Sequence, residues 1–274
     1  MTRTASGPPS SRLPTSNWTD RRMAVEYAPK GLIGLLTPQA NTTVEPEYFI
    51  LLPAGYAHIN ARLMSDKSTI EARLVDYVDR LDTACDQFAN APIKAVAVGC
   101  TGASYLVGRE REEQVLAGIE RERGVPAFTA ATAVVASLKQ LGARRIALAS
   151  PYPAGLTATS KVYWESQGFT VSRVASAPMD HTQFHPIYSM KADAAGALLE
   201  ELARDDTDAI LMLGTGMPTL APLLAANARS PVPVLSCMLC LAWMGVSAVD
   251  GRPAPLEPWL RGDHWRERLA RQQP

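Results

Sequence analysis

Short apolar runs closed by glycine or proline alternate along this chain with longer stretches whose apolar residues recur every three or four positions. Residues 31–37 (GLIGLLT) form such a run, ended by Pro38, and its length and punctuation predict a buried strand. Residues 56–63, 94–99 and 125–129 predict three more. Between them, residues 68–88 place Ile70, Leu74, Val78, Leu81 and Cys85 at helical spacing, and residues 130–141 form an apolar helix stopped by Gly142. The order then recurs, with strands at 145–150, 169–174, 209–213 and 232–236 and helices at 154–167, 190–203 and 237–249. Strands separated by helices imply an α/β protein with parallel sheets flanked by helices.

The two halves also resemble each other. Residues 95–102 (AVAVGCTG) line up with 209–216 (AILMLGTG), and residues 124–128 and 230–234 each lead through a small residue into an apolar helix. An internal duplication is expected, with pseudo-symmetric domains at 30–142 and 143–250, a flexible N-terminal tail at 1–29 and a C-terminal tail at 251–274. Cys100 and Gly214 then become equivalent positions facing each other across an interdomain cleft. Ligands of open α/β sheets bind at the carboxyl ends of strands, where both motifs sit.

Composition narrows the function classes. The 274 residues are 47% hydrophobic and 20% charged, enough for a substantial core. Lys+Arg and Asp+Glu both number 27, so nothing points to nucleic acid or to an anionic membrane surface. No apolar run approaches the roughly 18 residues of a membrane span. The first 30 residues lack the apolar core of a secretory signal, and the four cysteines lie in apolar segments rather than a disulfide framework. A cytoplasmic enzyme or binding protein is the expectation.

Cys100 is the sharpest chemical feature, because it follows an apolar strand and stands between Gly99 and Thr101-Gly102, near a helix start whose amides favour negative charge. It reads equally as a buried core thiol. Thr101 and Thr215 could offer hydroxyls to a carboxylate, Asn41 is either a helix cap or a carboxylate-binding amide, and Tyr152 either donates to an oxyanion or acts as an aromatic lid. Cys237 and Cys240 form a C-x-x-C pattern that reads as core packing, although Cys237 would supply a second thiol if the cleft reaches it. Cys85 reads as core. His181 and His185 are four residues apart in a Pro-flanked loop without acidic or cysteine partners, which argues against zinc. Tyr48, Tyr105 and Met217 are candidates for an apolar pocket wall. No phosphate-binding loop, dinucleotide fingerprint, serine-nucleophile elbow or metal-binding cysteine set is present.

Five motifs in order carry a resemblance that covers residues 30–250: TPQANTTVE at 37–45, GCTG at 99–102, TAATA at 129–133, RRIAL at 144–148 followed by Pro151-Tyr152, and GTGMPT at 214–219. Together they resemble the maleate isomerase and arylmalonate decarboxylase branch of the aspartate/glutamate racemase superfamily. The resemblance implies two pseudo-symmetric α/β domains with the active site between them, no cofactor and no metal, a small carboxylic or dicarboxylic acid as substrate, and an even-numbered homo-oligomer. In the racemases and maleate isomerases, one cysteine from each half flanks the substrate. Cys100 matches the first, whereas the second falls on Gly214. Arylmalonate decarboxylase keeps one cysteine, at the position corresponding to Gly214, so this chain is its mirror image. The threonine and tyrosine of that enzyme's oxyanion pocket map to Thr101 and Tyr152, its serine to Gly102, and Asn41 matches a substrate-binding asparagine of the isomerases. Gly214, Thr215 and Gly216 form the opposing loop.

Racemisation requires a base and an acid on opposite faces of the carbon, and cis–trans isomerisation uses a thiolate plus a second thiol. Decarboxylation needs one thiol to protonate an enediolate from one face, with donors at Thr101 and Tyr152 stabilising its charge. The leading expectation is therefore a decarboxylase of malonate-type acids with Cys100 as proton donor. The alternatives are a maleate isomerase-like or racemase-like enzyme using Cys100 as nucleophile or base, and a non-catalytic carboxylate-binding homologue.

Overall fold

A computed structural model describes residues 25–177, 186–202 and 206–272. The loop histidines His181 and His185 and residues 1–24 lie outside the described residues. Strands β1 (Gly31–Pro38), β2 (Tyr56–Leu63), β3 (Ile93–Val98) and β4 (Ala127–Thr129) form a parallel sheet in the order β2-β1-β3-β4. Strands β5 (Arg145–Ser150), β6 (Thr170–Ser176), β7 (Ala209–Met212) and β8 (Val234–Ser236) form a second one in the order β6-β5-β7-β8. Every residue of β1 and of β7 is buried, as expected of strands covered on both faces. The identical strand order repeats the fold of one half in the other, and it places the ends of β3 and β7 at matching points.

Helices α1 (Val44–Leu51), α2 (Ile70–Asp79), α3 (Leu81–Cys85), α4 (Gly102–Arg123) and α5 (Ala130–Gln140) belong to the first half of the chain, and α6 (Ala154–Ser166), α7 (Ala192–Leu202), α8 (Leu220–Asn227) and α9 (Cys237–Asp250) to the second. The single helix expected over 68–88 is broken at Arg80, where φ is −106° and ψ is 7°, into α2, α3 and a 3-10 turn at Asp86–Phe88. Tyr77 and Val78 before the break and Leu81 and Cys85 after it enter the same apolar cluster, so the spacing of buried positions runs on across the kink. Helix α9 crosses over: it packs chiefly against α5, β3 and α1. One apolar cluster consequently joins Ile33 and Leu35 of the first sheet to Leu148 and Leu211 of the second through Met238 and Leu241 of α9.

Both expected tails need correction. Val25 and Ala28 form an antiparallel bridge and Ala28 is buried, so ordered chain begins before residue 30. Residues 251–272 are not a tail but fold into α10 (Glu257–Arg261) and α11 (Arg266–Ala270). Trp259 and Trp265 are buried there, with Trp265 Nε1 donating to the Trp259 carbonyl at 2.9 Å, and Arg268 Nε donating to the Ile50 carbonyl at 2.7 Å. Proline and arginine dominate the composition of this segment, but the two indoles decide its fate by the apolar area they bury.

A seam of hydrogen bonds joins the segment after β1 to the loop after β7. Thr43 Oγ1 donates to the Gly216 carbonyl at 2.7 Å. Glu47, buried on α1, accepts from the backbone amides of Thr219 and Leu220 and from Thr219 Oγ1, and so caps α8 from the other half of the molecule. Burial pushes the Glu47 carboxyl up to about 7, against the opposing pull of those three donors. A folded value above the ordinary 4.5 means that the native state holds the extra proton, so stability falls as pH rises from about 4.5 through about 7. Thermal unfolding across that window should show the melting point falling, with a flatter slope in Glu47→Gln. Glu47→Ala, which strands two buried amides, should lose about 2–4 kcal/mol in denaturant titrations.

Candidate active site

Strand β3 ends at Val98, and the chain turns at once. Gly99 donates to the Leu36 carbonyl at 2.8 Å, and a Cβ at Gly99 would lie 2.7 Å from Val44, so the close approach requires glycine. Cys100 follows, and Thr101 is the N-cap residue of α4. The Cys100 thiol faces the amides of Gly102 and Ala103, which favour the thiolate, but burial dominates and pushes it up to about 11. At neutral pH Cys100 is a thiol.

A cavity of about 740 Å³, part of it open to solvent, lies between the halves at the carboxyl ends of the strands. Cys100, Thr101 and Gly102 line one side, Asn41 comes from the turn after β1, Tyr152 from the turn after β5, and Thr215 and Gly216 from the turn after β7. The structure thus brings seven of the eight expected site residues to one cavity. Gly214 stands behind the wall. Its φ is +86°, and a Cβ there would lie 3.1 Å from each of Ile187 Cδ1, Pro151 Cγ and Tyr152 Oη. A side chain at the place that the resemblance assigns to a second thiol would need these neighbours to give by a few tenths of an ångström, on a backbone conformation that side chains rarely adopt.

The polar groups have defined partners. Asn41 Oδ1 accepts from the amides of Thr43 (2.8 Å) and Val44 (2.9 Å), and Nδ2 donates to the Thr215 carbonyl at 3.1 Å, so the residue caps α1 and lines the cavity at the same time. Thr215 Oγ1 donates its hydrogen to the Gly99 carbonyl at 2.8 Å; it cannot also donate to a carboxylate, which corrects that expectation. Thr101 Oγ1 and Tyr152 Oη are 3.0 Å apart and share one hydrogen bond. Burial and the neighbouring Cys237 hold the Tyr152 phenol far above its ordinary value, so it stays a donor.

Other expectations resolve differently. Tyr48, Tyr105 and Met217 are buried in the core and do not line the cavity; its apolar wall comes instead from Ile70 and Leu74 of α2, Leu156 of α6, and Ile187 and Tyr188 of a 3-10 turn at Pro186–Ser189. Apolar spacing revealed α2, but the same spacing serves a core face and a cavity wall, and no sequence signal separated them. Cys237 does not line the cavity. It is fully buried at the start of α9, its thiol donates to the Met212 carbonyl at 3.4 Å, and burial pushes it up to about 12. Cys85 and Cys240 are buried free thiols. Among the described residues, no three His, Cys, Asp or Glu side chains cluster as a metal site would require, and no helix is long and apolar enough to cross a membrane.

The family model described as arylmalonate decarboxylase matches residues 33–255. The chain belongs to the arylmalonate decarboxylase family. Its sequence is also similar to the maleate isomerase of Nocardia farcinica, at 28% identity over 233 residues that cover 80% of this chain and 90% of the relative. The maleate isomerase of Alcaligenes faecalis is 26% identical over 219 residues, covering 74% and 85%. Among solved structures, the maleate isomerase Iso from Pseudomonas putida S16 superposes with a TM-score of 0.73 at 21% identity, covering 80% of this chain and 93% of that one. Arylmalonate decarboxylase superposes with a TM-score of 0.65 at 22% identity, with the same coverage. These likenesses establish the two-domain fold and place this member of the arylmalonate decarboxylase family among isomerases and lyases. A cysteine mutant of the Nocardia farcinica maleate cis-trans isomerase carries a covalently bound succinylcysteine intermediate, at a TM-score of 0.72 and 22% identity over 85% of this chain and 99% of that one.

Gly214→Cys will not restore a two-thiol site. The left-handed backbone alone costs a side chain about 1–2 kcal/mol, and Tyr152 and Ile187 must also move. Thermal unfolding should show a lower melting point than wild type, and alkylation with the protein unfolded should count five thiols against four.

Proposed function

We propose that this protein decarboxylates malonate-type dicarboxylic acids carrying an apolar substituent, and that Cys100 is the proton donor. The reading rests on one observation: a single thiol faces the cavity, with a left-handed glycine packed by other side chains at the equivalent position opposite. The C–C bond to one carboxylate breaks, CO₂ leaves, and the bonding electron pair spreads over the remaining carboxylate as an enediolate. The Cys100 S–H transfers its proton to the α-carbon, and the resulting thiolate takes a proton from water. Tyr152 Oη and the amides at the start of α4 stabilise the enediolate charge. Ile70, Leu74, Leu156 and Ile187 accommodate the apolar substituent. The working thiol must stay reduced, which suits the cytoplasm.

A thiol held near 11 supports an acid more than a nucleophile. Cis–trans isomerisation is the second reading, favoured by the four maleate isomerases, 25–28% identical, that the sequence resembles. In that reaction the Cys100 thiolate would add to the double bond, and another group would serve as the acid.

The pH dependence of kcat/KM separates the two. With Cys100 as acid, turnover of phenylmalonate stays level over about pH 7–9 and declines only as pH nears about 11. A thiolate nucleophile would instead isomerise maleate, with kcat/KM rising about tenfold per pH unit across the same range. Cys100→Ala should lower kcat by at least about a hundredfold. Retained turnover in that variant would sink the assignment, and ligand binding without turnover in wild type would favour a binding protein.

A further inference from the structure

Beneath the cavity floor lies a hydroxyl that the chemistry above does not use. Tyr105 is buried one helical turn after Thr101, with its amide donating to the Thr101 carbonyl at 3.2 Å, so both side chains lie on the same face of α4. Its ring meets Tyr152 edge-on, with centroids 6.1 Å apart and an interplanar angle of 86°. Among the described residues the Tyr105 hydroxyl has no hydrogen-bond partner at bonding distance, although burying such a group without one is costly. The groups it faces are the Thr101 hydroxyl and the Cys237 thiol. Sulfur is the weaker acceptor, and the Cys237 hydrogen is already directed to the Met212 carbonyl.

We propose that Tyr105 is a positioning residue, the buried end of a hydroxyl chain that runs Tyr105 to Thr101 to Tyr152 to the bound anion. The inference rests on the carboxylate-site reading of the cavity. Each hydroxyl has one hydrogen to give. When Tyr152 donates to a ligand oxygen, its own oxygen becomes the acceptor in the 3.0 Å bond with Thr101. Thr101 is then the donor in that bond and has lone pairs free, and Tyr105 has a hydrogen without an acceptor. Tyr105 to Thr101 is the ordering that gives all three hydrogens an oxygen and leaves the last pointing into the cavity. Hydroxyls chained in one direction polarise each other, so Tyr105 strengthens the Tyr152 donor without touching the ligand. An anion in the cavity selects this ordering, and the remaining gap at Tyr105 closes as it binds.

The test is calorimetric titration of the full-length protein with phenylphosphonate, an apolar-tailed dianion that cannot react. Tyr105→Phe should weaken binding about fivefold, the share of one neutral hydrogen bond. Its melting point should be equal to or above that of wild type, because the deleted hydroxyl has no partner among the described residues. In a Tyr152→Phe background the same change should have no further effect. Thr101→Val should reproduce the loss, and Thr101→Ser, which keeps the hydroxyl, should restore affinity. Wild-type affinity in Tyr105→Phe overturns the chain, and so does an undiminished loss when Tyr152 is absent, since that marks a packing effect. Failure of wild type itself to bind phenylphosphonate would overturn the carboxylate reading and, with it, the role given to Tyr105.

Discussion

The site exists because the two halves are hydrogen-bonded to each other through their loops. Asn41 and Thr43 hold the carbonyls of Thr215 and Gly216, Thr215 holds the carbonyl of Gly99, and Glu47 caps α8. Each bond is short in space and long in sequence; those of Asn41, Thr43 and Glu47 tie the segment after β1 to the loop after β7, and that of Thr215 ties the loop after β7 to the turn after its counterpart β3. Their joint effect is to fix the separation of the cleft walls, and with it the distance of the Cys100 thiol from whatever lies opposite. Because these groups are buried, breaking any one leaves its partner unsatisfied, so the walls are held in register.

That geometry also limits the chemistry. The duplicated fold offers two equivalent positions just past β3 and β7, and this chain furnishes only one of them with a thiol. Its counterpart, Gly214, has a left-handed backbone, and Ile187, Pro151 and Tyr152 pack tightly around the direction a side chain would take. The asymmetry is built into the packing rather than into one residue. Thr215 illustrates the same economy. It looks like a substrate ligand in sequence, yet its hydrogen is directed to Gly99, and it acts on the site by holding Cys100's turn in place.

The sheets were legible in the sequence because a parallel strand buried on both faces reads as a near-continuous apolar run, as β1 and β7 do throughout and β3 and β5 do beyond the exposed Lys94 and Arg145 near their starts. The match between the 95–102 and 209–216 segments pointed to a duplication, but the order of strands within each sheet came only from the structure. Most of the polar cavity lining was legible for the same reason, since the carboxyl ends of duplicated strands must converge. Helix α4 was harder. Only its start could be read, because Gly108 interrupts it with φ +76° and most of its remaining surface is charged. Ile70, Leu74 and Ile187 were hidden because an apolar residue that lines a cavity has the same pattern as one that fills a core. The C-terminal helices were missed for a compositional reason: prolines and arginines outnumber the two tryptophans that anchor them. The dual use of Asn41, as cap and as cavity wall, shows that two readings of one residue need not exclude each other.

The most direct measurement is an NMR time course in D₂O with methyl-phenylmalonate and, separately, maleate. One thiol acting from one wall predicts release of CO₂ and a product carrying a single deuterium at the α-carbon in one enantiomer, with maleate unchanged. Fumarate formed from maleate without CO₂ release, or a racemic deuterated acid, would contradict it, because either outcome requires a second proton-transfer group across the cleft from Cys100.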